Sequence, residues 1–174
     1  MRVVITANGL GERMKGLSPK PKHMLYYGNM RIVDHILGIF PNAEVLENLP
    51  SNNRRETLKY IQDYTDCLII DCDVIPRGCL YQHNDDTVYY FISDKEKYSS
   101  ISIHNGRVSQ ASEHGNIAEY KCSGAYYVKS VSELMEKMGD NSIVGGMIGA
   151  NVRQENSFVR LGDIEDYYDS IGRL

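Results

Sequence analysis

Between Asn8 and Lys22 the chain reads NGLGERMKGLSPKPK, in which three glycines and two prolines are interleaved with Arg13, Lys15, Lys20 and Lys22. Glycine at positions 9 and 11 lets backbone N–H groups approach phosphate oxygens closely and adopt conformations closed to other residues. Arg13 adds a planar fork suited to paired phosphate oxygens, and Lys22 adds a compact point charge. Pro19 and Pro21 stiffen the approach to Lys22, which reduces the entropy lost when that ammonium is held over a substrate. Further along, Asp71-Cys72-Asp73 follows the apolar run Leu68, Ile69, Ile70. Magnesium takes oxygen ligands and is often shared between one or two carboxylates and substrate phosphates, so this pair suits a nucleotide–metal site; an acidic turn is the plainer alternative. Asp163, Glu165 and Asp166 form another acidic cluster at the start of a helix, where carboxylates also serve simply as N-terminal helix charges.

The glycine spacing is not that of the two common phosphate loops. A dinucleotide-binding loop needs a third glycine where Met14 stands, and a P-loop needs Gly-Lys-Ser/Thr, which Lys15-Gly16-Leu17 breaks. The four cysteines form no Cys-x-x-Cys pair, which argues against a closed zinc site and for reduced, mostly buried thiols.

The elements that position these residues follow from apolar patterning. Arg2 to Thr6 reads as a buried first strand that feeds the glycine loop. Ile32, Val33, Ile36, Leu37 and Phe40 recur at helical spacing up to Pro41, and Ala43 to Leu46 suits a short strand. Ser51 or Asn52 could cap a second helix with Leu58 and Ile61 on its inner face, before a strand at Cys67 to Ile70. Strand, helix, strand, helix, strand in that order implies parallel pairing, with the loops after the strands on one edge, where ligands bind. Thr87 to Ile92, Ser99 to His104 and Arg107 to Ala111 are β-rich, and Asn105-Gly106 is a two-residue hairpin signal. A strand at Glu119 to Lys129, a helix bearing Val131, Leu134, Met135 and Met138, and a last helix near Ile164 to Ile171 complete the reading.

At 174 residues the chain suits one domain, 1–174; 42% hydrophobic and 24% charged residues are those of a globular protein. Nineteen basic against twenty-three acidic residues give a net charge of −4, which supplies no broad field for a nucleic-acid backbone. No apolar run approaches the roughly twenty residues of a spanning helix, and the N-terminal run is too short for a signal peptide. The expectation is a cytoplasmic protein with neither nucleic-acid nor membrane partners.

Ala7-Asn8-Gly9-Leu10-Gly11-Glu12-Arg13-Met14 followed by Pro21-Lys22-His23-Met24-Leu25 resembles the signature of nucleotidyltransferases that activate sugar phosphates and related phospho-compounds, Gly-Gly-x-Gly-x-Arg-[Leu/Met] then Pro-Lys-x-[Leu/Met]. Arg31 to Ile36 is similar to the helix after that loop, and Leu68 to Asp73 to the strand that ends in the metal aspartate. Tyr98 to Glu113 looks like the family's hairpin, Ser123 to Val128 like its later core strand, and Leu161 to Tyr167 like its closing Asp-Ile-x-x-x-Asp segment. The similarity runs in order through most of the chain. It implies an α/β, Rossmann-like three-layer sandwich with a mostly parallel central sheet and an antiparallel hairpin extension.

The resemblance implies that Asn8, Gly9, Leu10, Gly11 and Arg13 cradle a nucleoside triphosphate, and that Lys22, with Arg13, stabilises the α-phosphorus during displacement. Asp73 and Asp163 would hold Mg2+ or Mn2+, and Glu113 and Gly124 would bind a phosphorylated small-molecule acceptor. Pyrophosphate would leave. A pyrimidine triphosphate is the favoured donor; Tyr167 and Tyr168 suggest amphipathic packing and a homodimer face, with core packing the commoner use of such aromatic pairs. The chain departs from the pattern in three places: Asn8 replaces the first glycine, His114 replaces a lysine after the hairpin glutamate, and a βα unit between Phe40 and Arg55 is absent. These departures motivate an alternative, a nucleotide-binding regulatory subunit without turnover. A molybdopterin guanylyltransferase is a third reading, ranked below the sugar-phosphate group on the hairpin and the closing segment. His23 and His35 read as loop and helix-surface residues, since neither lies beside a plausible nucleophile.

Overall fold

Arg2–Thr6 (β1) and Thr65–Asp71 (β5) pair in parallel, from Arg2 opposite Cys67 to Thr6 opposite Asp71. Glu44–Leu46 (β4) lies parallel on the other side of β1. The computed structural model describes residues 1–8, 14, 16–51, 53–78, 80, 83–113, 117–138 and 142–171. The glycine-loop positions 9–13 and His114 lie outside the described residues.

Alternation along the strands builds two cores, one on each face of the sheet. Cys67 and Ile69 of β5 face a cluster with Leu58, Ile61, Leu134 and Ile143, while Leu68 and Ile70 face one with Ile5, Ile32 and Ile36. The first cluster is covered by Arg54–Leu58 (α2), Val131–Lys137 (α3) and Ile143–Gly146 (α4). The second is covered by Ile32–Ile39 (α1), with Ile164 and Tyr167 of Ile164–Ile171 (α5) packed against it. The expected three layers are therefore present. α3 starts where its sequence says it should, because the Ser130 side chain accepts a hydrogen bond from the Glu133 N–H. α2 is capped by Asn53, whose side chain accepts from the Glu56 N–H at 2.9 Å, rather than by Ser51; Asn52 lies outside the described residues.

The sheet is mixed, not mostly parallel. Its eight strands run in the order β4-β1-β5-β10-β7-β11-β9-β8, where β7 is Thr87–Ile92, β8 Ser100–His104, β9 Arg107–Ser112, β10 Tyr120–Ser130 and β11 Asn151–Gln154. β10 lies antiparallel to both β5 and β7, and β9 antiparallel to both β8 and β11. Parallel pairing is confined to β4-β1-β5 and to β7-β11. Helical crossovers serve the first seventy residues, whereas among the described residues no helix separates β7, β8, β9 and β10; β8 and β9 form a direct antiparallel hairpin, and β10 returns antiparallel to β7 and β8.

β10 is long enough to pair also with β8, which curls β10-β7-β11-β9-β8 into a five-stranded ring. The register of β10 shifts between Cys122 and Tyr126, where Gly124 has φ of +86°. The hairpin turn is as expected, with Asn105 and Gly106 both at positive φ. Short elements add a two-stranded ribbon of Tyr26–Tyr27 (β2) and Met30–Arg31 (β3), and another of Val74–Pro76 (β6) and Phe158–Arg160 (β12). Among the described residues no helix is long and apolar enough to cross a membrane.

Leu68 is fully buried at the centre of the second core. Leu68→Ala is expected to lower unfolding stability by about 2–5 kcal/mol, as transfer and cavity costs combine. Urea denaturation monitored by circular dichroism measures the loss.

Candidate active site

The carboxyl end of β5 opens onto a cavity of about 260 Å3. Thr6 closes β1, and its hydroxyl donates to Asp71 Oδ1 at 3.1 Å. Asp71 ends β5, and the turn beyond it carries Asp73 into β6. Lys22 opens a 3-10 turn over Lys22–Met24. Its Nζ donates to Asp73 Oδ2 at 2.7 Å and to the Gly162 carbonyl at 2.6 Å. Two residues singled out in the sequence on separate grounds are thus in direct contact across fifty-one positions. The side chains of Lys22 and Asp73 are 16% and 21% exposed, so the pair is shielded yet reachable from the cavity.

Glu113, Gly124 and Asp163 line the same cavity. A Cβ on Gly124 would stand 2.8 Å from Val74 Cγ2 and 3.2 Å from Asp71 Oδ2. Glycine is required here both by the positive φ and by the approach of β10 to the end of β5. Asp163 serves α5 directly, since its Oδ1 accepts from the Asp166 N–H at 2.9 Å. Both of its oxygens also meet Lys97 Nζ, at 3.0 Å and 2.8 Å. Burial works against ionisation of Asp163, but the Asp166 N–H and Lys97 outweigh it and lower its pKa.

Asn8 does not point its amide at an open ligand space. The Asn8 side chain accepts from the Leu49 N–H at 2.8 Å and donates to the Leu49 carbonyl at 3.1 Å and to the Ser51 hydroxyl. It staples the end of β1 to the segment leading into α2. Gly9, Leu10, Gly11 and Arg13 lie outside the described residues. His23 is buried rather than at a loop surface, with Nε2 2.9 Å from Glu47 Oε2, and His35 Nε2 lies 2.7 Å from the Tyr27 carbonyl oxygen. Cys67, Cys72 and Cys122 are buried free thiols; burial pushes Cys67 up to about 12, which leaves it an inert side chain. Cys79 lies outside the described residues.

Three cations that sequence reasoning passed over also line the cavity: Arg54, Lys97 and Arg160. Arg54, the first residue of α2, donates from Nη2 to Asp71 Oδ1 at 2.8 Å. The Asp71 carboxylate raises the Arg54 pKa. The pKa of Asp71 itself is raised by burial, and further by Asp73, against the lowering by Arg54. Arg160 ends β12 with its guanidinium carbon 3.1 Å from the Phe91 ring centroid. Its Nε and Nη2 are buried with no hydrogen-bond partner among the described residues, and burial lowers its pKa to about 10, so the charge persists at neutral pH. The one sequence signal for it is a charge inside the apolar run Phe158, Val159, Leu161.

The donor chemistry suits a hard divalent cation, because Asp73 offers carboxylate oxygen at the cavity wall. Among the described residues no group of three or more His, Cys, Asp or Glu side chains is arranged to hold a metal. Most of the ligand oxygens would therefore have to come from substrate phosphates and water.

No protein-family model matches the chain, and no curated protein is similar to it in sequence. Solved structures are similar in fold along nearly its whole length. CTP:phosphocholine cytidylyltransferase from Streptococcus pneumoniae superposes with a TM-score of 0.79 at 12% identity, covering 99% of this chain and 98% of that one. A nucleoside-diphosphate-sugar pyrophosphorylase from Vibrio cholerae RC9 gives 0.73 at 15% identity, covering 98% and 99%. The inositol-1-phosphate CTP transferase of T. maritima gives 0.73 at 10% identity, covering 99% and 95%. The fold is that of the nucleotidyltransferases that act on sugar phosphates and phospho-alcohols, as the sequence resemblance implied.

Arg54→Met would leave the Asp71 carboxylate on the cavity floor without its counter-ion. A loss of about 1–3 kcal/mol in unfolding free energy is expected, largely recovered in Arg54→Met/Asp71→Asn. Chemical denaturation of both variants measures it, and equal losses in the two would contradict a charge-pair origin.

Proposed function

We propose that the chain is a nucleotidyltransferase that joins a nucleoside monophosphate, taken from a nucleoside triphosphate, to a sugar phosphate or related phospho-compound, with release of pyrophosphate. The observation that carries this reading is the convergence of Lys22 and Asp73 at the carboxyl ends of β1 and β5, within a fold otherwise seen in such enzymes. An acceptor phosphate oxygen would attack the α-phosphorus in line, forming one P–O bond as the bond to the β-phosphate breaks. Little covalent chemistry is asked of the protein. It must bring anions together and neutralise the charge that builds on the α-phosphoryl oxygens.

Lys22 is the group placed to do this. Asp73 and the Gly162 carbonyl fix its ammonium from one side, which holds its position without neutralising it twice over. Gly9, Gly11 and Arg13 belong to the segment between β1 and Lys22, and would supply the remaining donors to the triphosphate. Asp73 would hold Mg2+ or Mn2+ together with phosphate oxygens; bound there, the ion would offset charge on the phosphates. A pyrimidine triphosphate is the favoured donor, a choice supported by the two similar structures named for CTP.

The acceptor would lie against Glu113 and Gly124. With histidine at position 114, the permanent positive charge on this side comes from Arg160 and Arg54. A phosphate on Arg160 would give Nε and Nη2 the acceptors they lack among the described residues, which argues for an anionic acceptor.

Purified protein supplied with each nucleoside triphosphate, Mg2+ and a panel including hexose 1-phosphates and phosphocholine is expected to release pyrophosphate with one donor–acceptor pair. Lys22→Met should lower turnover by about a hundredfold or more while the circular dichroism spectrum is retained. Undiminished turnover in that variant would defeat the assignment, and tight nucleotide binding with no turnover on any acceptor would point to a regulatory subunit. Arg160→Met is expected to raise the acceptor KM while leaving nucleotide affinity unchanged, as read from initial rates and calorimetry.

A further inference from the structure

Lys97 lies between β7 and β8, outside the segments that the sequence resemblance assigned to the nucleotide or the metal. Its Nζ reaches Asp163 at 2.8 and 3.0 Å, Glu165 Oε2 at 2.9 Å and Asp166 Oδ1 at 2.8 Å. An ammonium has three N–H donors, and here they meet three carboxylates, so its hydrogen-bonding capacity is filled. The side chain is 23% exposed, and Tyr98, the next residue, donates its hydroxyl to Asp166 Oδ1 at 2.7 Å and fixes that carboxylate from a second direction. Asp163 is equally committed, to Lys97 through both oxygens and to the first turn of α5 through Oδ1. Lys95 contacts Glu165, Asp166 and Asp169 at 3.6–3.9 Å, and none of its ion pairs involves Asp163.

A divalent cation that used Asp163 would first have to displace Lys97. The displaced ammonium would then stand beside a doubly charged ion in a partly shielded cavity, where like charges repel more strongly than in water. Asp73 is less committed: among the described residues its one ion pair, with Lys22, uses Oδ2 alone, whereas Asp163 meets Lys97 through both oxygens.

We propose that Lys97 is the standing counter-ion of Asp163 and keeps that carboxylate out of the metal's coordination shell, so that the protein holds the metal through Asp73 and the nucleotide phosphates complete it. The inference rests on the transferase reading of the same cavity. Two consequences follow: the free protein binds divalent cations weakly, and metal and triphosphate enter together. Lys97 is a positioning residue, acting on the metal through Asp163.

The test is an electron paramagnetic resonance titration of Mn2+ against the full chain, alone and with each nucleoside triphosphate in turn. Asp163→Asn is a clean probe, because asparagine caps a helix as well as aspartate does. Asp73→Asn is expected to weaken Mn2+ binding in the ternary complex by about tenfold or more, whereas Asp163→Asn leaves it unchanged. Lys97→Met frees Asp163 and is expected to tighten Mn2+ binding by about tenfold, a gain lost again in Lys97→Met/Asp163→Asn. Weakening by Asp163→Asn as large as that by Asp73→Asn would overturn the role of Lys97 and leave the transferase reading standing. An unchanged affinity in folded Lys97→Met would overturn it too, and if that variant fails to fold, Asp163→Asn decides alone. No Mn2+ binding by the wild-type chain with any triphosphate would overturn both the transferase reading and this inference.

Discussion

Thr6 and Asp71 are register partners on the last rung of the β1–β5 ladder, and the direction of that ladder sets where the chemistry can be. Because the two strands are parallel, both chains leave the sheet at the same edge. The segment after β1 and the turn after β5 must then share one space. Lys22 arrives by the first route and Asp73 by the second, and they meet at 2.7 Å. Had β5 run antiparallel to β1, its two carboxylates would have left at the opposite edge. The apolar run of β5 protects this geometry, since Leu68 and Ile70 lock one face and Cys67 and Ile69 the other, and a one-residue slip would exchange the two sets.

A second constraint comes from β10. It crosses the middle of the sheet beside β5, and its irregular register at Gly124 lets the strand pass against Asp71 and Val74 without a side chain in the way. Above that point β10 turns from β5 toward β7 and β8, closing the five-stranded ring that holds Tyr98, Ser99 and Glu113 over the cavity. The cavity is thus built from one parallel unit and one antiparallel unit, joined along a single strand.

The parts legible in the sequence are those with a period or a punctuation mark. β1, α1, β5, β7, the hairpin at Asn105-Gly106 and α5 lie close to where the patterning put them, because each carries enough apolar residues to declare a face or a turn to declare an end. The three-residue strands β6 and β12 and the four-residue α4 carry no such repeat; tertiary packing alone selects them. The preference for a mostly parallel sheet extended the helical crossovers of the first seventy residues into a region where, among the described residues, β7 to β10 follow one another without a helix between them. Among site residues, Lys22, Asp73, Glu113 and Gly124 were recognisable by type and order, and all four line the cavity. Arg54, Lys97 and Arg160 were not, since an arginine or lysine in a polar stretch reads as a solvated surface charge until the fold brings a carboxylate or a ring to it.

The cavity wall carries Asp71, Asp73, Glu113, Asp163 and Asp166 against Lys22, Arg54, Lys97 and Arg160. Three of these cations are already satisfied within the chain: Lys22 on Asp73, Arg54 on Asp71, and Lys97 on Asp163 and Asp166. A phosphate that approaches any of them exchanges one anion for another, and the gain is small because the carboxylate it displaces must find a new partner. Arg160 is different: it has two buried nitrogens and a ring beneath it, and among the described residues no carboxylate closes its fork. An anion there fills an existing deficit rather than competing for an existing bond. On the transferase reading this divides the work: the triphosphate must bring a cation with it to settle among the paired charges, whereas the acceptor can enter as a bare anion on the guanidinium side.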